Sequence, residues 1–250
     1  MMNICIITPI ITKGFRDAAA LHDLAPTRVK LTHTTLAQGP ASVESAVDEV
    51  LAGPGVVDAA YRAEADGAGA IVIDCMLDPA LEAAREAVSR PVVGCGEAGL
   101  TSAAAFGRFS VVTVLQRQDH AFFRLAAGLG VADRLVSVLG IGVNVLDLDS
   151  ARDAAIAATV EACKTARDQD GAEAIVFGCT GMLGYAKETA DALGWPEERV
   201  IDPLPNAIRI AAAAVEAGQF TDKLRHPFPE KKCVVGFEGW SNLHDKLAQT

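Results

Sequence analysis

Two of the six cysteines close the same ten-residue motif. Residues 66–75 read DGAGAIVIDC and residues 170–179 read DGAEAIVFGC, so seven of the ten positions are identical and both copies end on cysteine, Cys75 and Cys179. Each cysteine directly follows an apolar run that is typical of a buried parallel strand. Because ligands of open parallel sheets bind beyond the carboxyl ends of the strands, the repeat predicts a thiol at the ligand-binding edge of each of two similar sheets.

A pair of thiols is suited to moving a proton between the two faces of one carbon. One thiolate removes the proton while the opposite thiol returns one, and the roles exchange for the other enantiomer. Backbone N–H groups in a strand-to-helix turn would lower the pKa of each thiol. A neighbouring carbonyl must acidify the carbon, and its enolate oxygen would be stabilised by the N–H groups of Met76, Leu77, Thr180 and Gly181. The pattern predicts racemisation without a cofactor.

Several other residues receive a role or a structural interpretation. Thr113 lies near the end of a predicted strand and is a candidate substrate contact, with burial in that strand as the alternative. Ser42 is interpreted as a helix N-cap, and Glu97 as a carboxylate in the first turn of a helix. His33 follows a predicted strand and is interpreted as a loop or cleft-wall residue. Small buried hydrophobic residues are expected at the remaining cysteines, namely Cys5, Cys95, Cys163 and Cys233.

Composition limits the class of partner. The chain has 250 residues, half of them apolar, and a formal charge of −10. This charge argues against nucleic acid and against an anionic membrane surface, since both need basic patches. The N-terminal sequence MMNICIITPI has no signal-peptide pattern, so a cytoplasmic enzyme with free thiols is expected. A small molecule is the expected partner. Neither a metal site nor a dinucleotide fingerprint is found, since Gly140-Ile141-Gly142 lacks a third glycine.

Strand-like and helical segments alternate along the chain, which predicts an α/β protein with parallel sheets. Strands are expected at 3–8, 28–32, 70–74, 91–94, 109–115, 134–140, 174–178 and 199–202. They form two sets of four, which predicts two similar Rossmann-like domains related by a pseudo-twofold axis, with the active site in the cleft between them. The first domain would span residues 1–98 and be completed by 204–250, and the second would span 99–203.

Two expectations concern the helices. Gly53-Pro54-Gly55 predicts that the stretch 43–66 is broken into two helices. The helix that follows Pro205 contains IRIAAAAVEAG and carries little charge on any face, which is commoner where a neighbour covers a helix. A homo-oligomer is therefore expected.

The chain resembles the aspartate/glutamate/hydantoin racemase superfamily, and in particular its hydantoin and allantoin racemase branch. The resemblance rests on GPASVES (39–45), the segment 65–99 with its first cysteine, FGCTGM (177–182) and DPLPNAIRIA (202–211). It implies two Rossmann-like domains with one catalytic cysteine each, at Cys75 and Cys179. It also implies a 5-substituted hydantoin or allantoin as substrate.

The chain departs from that branch at two places that bear on the substrate. Thr8-Pro9-Ile10 replaces the usual Asn-Pro-Asn after the first strand, which would make the cleft floor less polar. Met76-Leu77-Asp78-Pro79-Ala80 stands where the branch tends to have an aromatic residue followed by Asp-Pro-Gly. The resemblance therefore leaves the ring substituent open.

Other activities remain as alternatives. A maleate-type cis-trans isomerase also keeps both cysteines, while an Asp/Glu amino-acid racemase typically has Cys-Asn-Thr and Gly-Cys-Thr-Glu, where this chain has Met76-Leu77 and Gly181. Arylmalonate decarboxylases keep only the second cysteine. FGCTG approaches a cysteine hydrolase elbow but has Phe177 where a glycine is needed. A binding protein on the same fold would have no use for paired thiols.

Overall fold

The computed structural model of the chain describes residues 2–247. These residues form two four-stranded parallel sheets, ordered β2-β1-β3-β4 and β6-β5-β7-β8. Strands of the first sheet are β1 (Met2–Thr8), β2 (Val29–Thr35), β3 (Ala70–Ile73) and β4 (Val92–Gly94). Strands of the second are β5 (Phe109–Thr113), β6 (Leu135–Gly140), β7 (Ala174–Phe177) and β8 (Val200–Ile201). The eight predicted strands and the predicted α/β class are confirmed.

Helices connect the strands in both sheets, as parallel pairing requires. Within residues 2–247 they are α1 (Ala18–Asp23), α2 (Ala46–Ala65), α3 (Leu81–Ala87), α4 (Cys95–Ala104), α5 (Asp119–Gly128), α6 (Arg152–Asp168), α7 (Ala186–Leu193), α8 (Pro203–Glu216) and α9 (Ser241–Leu247). Glu97 lies in the first turn of α4, as predicted. None of these helices is both long and apolar enough to span a lipid bilayer in the part of the chain that the structure describes.

The repeated motif forms the same element in both sheets. β3 and β7 hold the third place in their sheets, and all four residues of each strand, AIVI and AIVF, are buried. A strand covered on both faces reads as a continuous apolar run, which is why the repeat has no alternating polar residues. Both motifs therefore end at the carboxyl edge of a fully covered strand.

The chain divides into two compact units. The first contains β1–β4 and α1–α3 up to Gly94, together with the residues from Ala207 onward. The second is continuous and spans Cys95–Asn206. The chain thus leaves the first unit once and returns to it within α8.

Helix α2 corrects two expectations. It runs without a break through Pro54, although proline removes the hydrogen bond to the carbonyl of Val50. Packing compensates for this loss, because eight residues of α2 are buried, Val56 and Val57 among them. The N-cap is Ser45 and not Ser42, since the Ser45 Oγ accepts from the Asp48 N–H at 3.3 Å and also donates to its carboxylate.

The C-terminal segment packs on α2. Leu243 of α9 is buried in the hydrophobic core of the first unit, and Phe237 and Trp240 pack against the same core. Asp58 of α2 accepts from the Leu243 N–H at 3.0 Å and from the Asn242 amide at 3.1 Å. The lysines and prolines of this segment gave no such signal, because its apolar residues follow no regular period.

Candidate active site

Cys75 lies two residues beyond the end of β3. The Asp74 N–H still donates to the Ile7 carbonyl of β1 at 2.9 Å, whereas the Cys75 N–H turns back to the Ile73 carbonyl at 3.0 Å. The backbone therefore leaves the sheet at the cysteine, whose side chain is half-buried. Helix α3 begins at Leu81, after Pro79, so Cys75 lies in the turn between a strand and a helix, as predicted.

A buried polar network lies beside Cys75 at the same edge of the sheet. The Arg16 guanidinium donates to both carboxylate oxygens of Asp74, each at 2.7 Å. The Thr8 hydroxyl donates to the Asp74 carboxylate at 2.8 Å and lies 2.9 Å from the His33 Nε2. Burial lowers the pKa of His33, so its neutral form is favoured. His33 lies inside β2 and does not follow it, because β2 continues to Thr35.

Cys179 lies two residues beyond the end of β7 and caps a short 3-10 turn, Thr180–Met182. Its Sγ accepts a hydrogen bond from the Gly181 N–H at 3.3 Å. A backbone N–H donated to sulfur favours the thiolate. The predicted environment of backbone N–H groups is thus present, but it comes from a 3-10 turn, since α7 begins only at Ala186.

Thr113 supports the turn that carries Cys179. The Thr113 side chain is fully buried, and its hydroxyl contacts the Gln118 Oε1 at 2.9 Å and the Gly178 carbonyl at 3.2 Å. A Cβ at Gly178 would lie 2.4 Å from the Thr113 Cβ, so only glycine fits before the cysteine. These contacts favour the structural alternative for Thr113.

Tyr185 adds a hydroxyl that the sequence analysis missed. The residue is fully buried, and among the described residues its hydroxyl oxygen has no hydrogen-bond partner. Burial raises the pKa of Tyr185, and a thiolate at Cys179 would raise it further. The Arg152 guanidinium lies over the tyrosine ring at 4.9 Å from its centroid. A buried hydroxyl without a partner is available to a ligand or a water molecule.

The remaining predicted site residues lie at the end of β1 or just beyond the ends of β1 and β3. Thr8 ends β1, and Pro9 and Ile10 follow it with buried side chains, Ile10 packing into the core of the first unit. Met76 is buried, whereas Leu77 is half-buried. The structure thus brings Thr8 into direct contact with the residue that precedes Cys75, through the Asp74 carboxylate.

All six cysteines, which lie within residues 2–247, are free thiols. Burial raises the pKa of Cys5 and raises that of Cys163 to about 12, and Cys95 is fully buried, so these three behave as the expected hydrophobic residues. Cys233 is exposed, contrary to expectation, because it lies in the loosely packed segment before α9.

A cavity of about 710 Å³ lies beside α1 and β2 in the first unit, and Arg16 and His33 are among its lining residues. Within residues 2–247, no group of three or more His, Cys, Asp or Glu side chains could hold a metal ion.

Arg16, Asp74 and Tyr185 were missed by sequence reasoning. Asp74 stood inside the repeated motif, where a charged residue in an otherwise buried run signals a buried partner. Arg16 is 58 positions away in the chain, and nothing in the local pattern pairs the two. Tyr185 is an ordinary aromatic residue in sequence, and its missing partner becomes visible only in the packed structure.

Comparison with known proteins places the chain in a family. The model of the Asp/Glu/Hydantoin racemase family matches residues 9–211. A hydantoin racemase from Pseudomonas sp. (strain NS671) is 36% identical over 94% of this chain and 95% of its own length. The structure of an allantoin racemase from Klebsiella pneumoniae is 31% identical, with a TM-score of 0.88 over 94% of this chain and 97% of that one.

A second allantoin racemase, from Pseudomonas fluorescens, gives a TM-score of 0.86 at 29% identity and covers 94% of this chain and all, 100%, of its own. The family match spans most of both units, and the two cysteine-bearing strand ends lie inside it. The chain therefore belongs to the Asp/Glu/hydantoin racemase family.

Proposed function

We propose that the protein is a cofactor-independent racemase acting on 5-substituted hydantoins or allantoin. Cys75 and Cys179 are its two catalytic groups, one for each face of the reacting carbon. The observation that carries the proposal is their matched position, since each lies two residues beyond the third strand of a sheet with the same strand order. Because the two thiols hold equivalent positions in two similar units, they suit a reaction in which each transfers a proton at one face of the same carbon.

The proposed reaction exchanges one proton for another at C5. A thiolate takes the C5 proton, and the electron pair left on carbon delocalises onto the adjacent carbonyl oxygen. The opposite thiol then donates its proton to the other face, so the product leaves the two sulfurs with their protonation states exchanged. No electron acceptor or metal is needed, because the carbonyl carries the developing charge.

The substrate class is inferred from the family relatives. A hydantoin racemase and two allantoin racemases are similar to this chain over nearly its whole length. Allantoin is itself a hydantoin with a ureido group at C5, so both names describe proton exchange at the same ring carbon. Ile10 and Leu77 differ from the sequence typical of the branch, and both positions bear on the ring substituent that this chain prefers.

Other residues have proposed supporting roles. The Gly181 N–H, which donates to the Cys179 sulfur, would stabilise the thiolate. The N–H groups of Met76, Leu77, Thr180 and Gly181 would stabilise the enolate oxygen. Thr8, Pro9 and Ile10 would form the floor of the site, and Thr113 would act on Cys179 through Gly178. We also propose that the protein is a homo-oligomer and that it acts in the cytoplasm. Reducing conditions there would keep its free thiols reduced.

A substrate panel in D2O tests the reaction class. Enantiopure 5-substituted hydantoins, allantoin, aspartate, glutamate and maleate are incubated with the protein, and optical rotation and the NMR signal of the α-proton are followed. We expect loss of rotation and of the α-proton signal for hydantoins or allantoin alone, with no effect of a chelator. Turnover of maleate alone would replace the proposal by a cis-trans isomerase.

The variants Cys75→Ser and Cys179→Ser test the two-base mechanism. Serine is nearly isosteric but far too weak an acid to act as the base at neutral pH, so we expect racemisation to fall by at least about 10³-fold in both. Each remaining thiolate should still exchange the α-proton of one enantiomer with D2O, and the preferred enantiomer should be opposite in the two variants.

Two controls complete this experiment. Cys233→Ser, which alters an exposed thiol, should retain parental activity. An enzyme-free sample corrects for the spontaneous exchange of hydantoins. If either catalytic-site variant racemised at the parental rate, or if both exchanged the same enantiomer, the two-cysteine mechanism would be wrong.

A further inference from the structure

Asp74 and Arg16 form an ion pair that is withdrawn from water. The side chain of Asp74 is fully buried and that of Arg16 is 5% exposed, and two hydrogen bonds of 2.7 Å join them. Taking two charges out of water has a large desolvation cost that pairing only partly offsets. An apolar pair would fill this position at a strand end with less cost, so stability alone does not explain it.

The hydrogen bonds around the pair have a defined direction. The Thr8 hydroxyl has one proton, which it donates to the Asp74 carboxylate. The contact of 2.9 Å with His33 then requires the His33 Nε2 to carry a proton and to donate to Thr8. The carboxylate thus accepts from Arg16 and Thr8, and His33 adds to the same chain of donors. This arrangement holds Asp74 in its charged form.

The position of this charge matters because Asp74 is joined to Cys75 by one peptide bond. Their Cα atoms are about 3.8 Å apart, and the Cys75 backbone turns immediately after Asp74. A carboxylate on the neighbouring residue opposes the formation of a thiolate by like-charge repulsion, and a paired guanidinium cancels most of its field.

We propose that Arg16 and Asp74 are positioning residues for Cys75: their ion pair fixes the turn that carries the thiol and neutralises the carboxylate next to it, so that the thiol can ionise. The inference rests on the proposed function only in giving that ionisation a catalytic use. Neither residue contacts the reacting carbon in this role. The pair acts through Cys75 alone.

Two further titratable groups lie in the same turn or in the same hydrogen-bond network. Asp78 lies in the same turn, and its N–H donates to the Cys75 carbonyl at 3.2 Å. His33 of β2 reaches the network through Thr8. Neither is altered in the test, so their contribution to the ionisation of Cys75 stays constant between variants.

The test measures the two thiols separately in the unliganded protein. Iodoacetamide alkylation of Cys75 and of Cys179 is followed from about pH 6 to 10 by mass spectrometry of the two peptides, so that Cys179 is an internal reference. The variants are Asp74→Asn, Arg16→Gln, the double variant and Arg16→Lys. Arg62→Gln is the matched control, since Arg62 donates to Thr34 of β2 at 2.5 Å but has no contact with Asp74 among the contacts described.

Asp74→Asn leaves the guanidinium uncompensated, so the pH midpoint of Cys75 alkylation should fall by about one pH unit, which is about a tenfold larger thiolate fraction below the midpoint. Arg16→Gln should move the midpoint upward. The double variant should return near the parent, and Arg16→Lys should lie between Arg16→Gln and the parent because it restores charge without the two-point hydrogen bond. The midpoint of Cys179 should not move.

An unmoved Cys75 midpoint in Asp74→Asn would overturn the inference, as would equal shifts at Cys179 or shifts of the same sign in the two single variants. If Arg16→Gln does not fold, Asp74→Asn and the double variant still decide the outcome. Because no substrate is present, opposite shifts in a protein that racemises nothing would reject the proposed function and leave the inference about Cys75 intact.

Discussion

At the scale of single residues, Tyr185 has a hydroxyl that the unliganded protein does not use. Removing an unsatisfied buried hydroxyl relieves its desolvation cost, so Tyr185→Phe should raise the free energy of unfolding by about 1 kcal/mol. Chemical denaturation followed by circular dichroism measures this change. If the hydroxyl serves a bound substrate beside Cys179, the same variant should have a lower kcat, which is the usual trade between stability and activity.

The other tyrosine provides the matched control. Tyr61 is also largely buried, but its hydroxyl is not among the buried groups found without a partner in residues 2–247. Tyr61→Phe should therefore leave stability within about 0.5 kcal/mol of the parent or lower it. A destabilised Tyr185→Phe would indicate that the hydroxyl has a partner in solution.

His33 makes stability depend on pH. Burial lowers its pKa in the folded protein, while in the unfolded chain the pKa returns to its ordinary value of 6.5. Below pH 6.5 the unfolded chain therefore binds a proton that the folded protein does not, and the free energy of unfolding falls as the pH falls. This loss should be seen in urea titrations between about pH 7.5 and 5.5.

Removing the imidazole isolates the contribution of His33. His33→Gln keeps an amide donor for Thr8 but cannot titrate, so its stability should fall less over the same pH range. His22→Gln, which alters a side chain that is 89% exposed, should follow the parent. An identical pH dependence for the parent and His33→Gln would contradict the prediction.

At the scale of elements, Gly55 shows how packing overrides helix propensity in α2. A Cβ at this position would lie 2.7 Å from the Gln38 carbonyl oxygen and 2.9 Å from the Leu36 Cδ1. Gly55→Ala should thus destabilise the protein by about 1–3 kcal/mol, although alanine favours helix. Gly128, the last residue of α5, has open space around it, so Gly128→Ala should stabilise by about 0.5 kcal/mol. Thermal unfolding of both variants checks the contrast, which equal effects would refute.

The strands could be predicted because burial on both faces leaves a continuous apolar signature, as in β3 and β7. The same signature located the two cysteines at the strand ends. The course of α2 could not be predicted, since Gly53, Pro54 and Gly55 break isolated helices and only the contacts of α2 with the core compensate. Local sequence reports propensity, whereas these contacts join distant parts of the chain.

Some residues of the candidate site could likewise be predicted from the sequence, and others could not. Cys75, Cys179 and the Gly181 N–H follow from the motif and its turn. The Arg16–Asp74 pair does not, because α1, β2, α2 and β3 lie between its two partners in the chain, and no rule of spacing connects them. Ionic contacts between distant segments depend on the completed sheet.

At the scale of the whole molecule, the expectation of an oligomer rests on the exposed face of α2 and no longer on the low charge of α8. The low charge of α8 is explained within the chain, because Leu204, Ala207, Ile208 and Ala211 are buried. An exposed apolar surface instead lies at the start of α2, where Val47, Val50 and Leu51 are 66%, 75% and 55% exposed. Residues spaced by three and four positions form one face of a helix, and such faces are commonly covered by a second subunit.

Val50→Glu tests this surface. If two copies associate through it, a buried carboxylate would be highly unfavourable, and sedimentation should show the monomer mass of 26.0 kDa for the variant but a larger mass for the parent. Leu224→Glu, at a residue that is 97% exposed and is not part of α2, is the control and should sediment as the parent does. A parent that is monomeric at micromolar concentration would remove the expectation of an oligomer.

The discontinuity of the first unit also has a consequence for synthesis on the ribosome. The second unit, Cys95–Asn206, is complete as soon as its last residue has left the exit tunnel. The first unit begins earlier but lacks most of α8 and the α9 helix that packs on α2 until those two helices have been translated. Domains usually fold in the order in which they emerge. In this chain we expect the reverse order, in which the nascent sheet that carries Cys75 stays partly uncovered while the sheet that carries Cys179 is already folded.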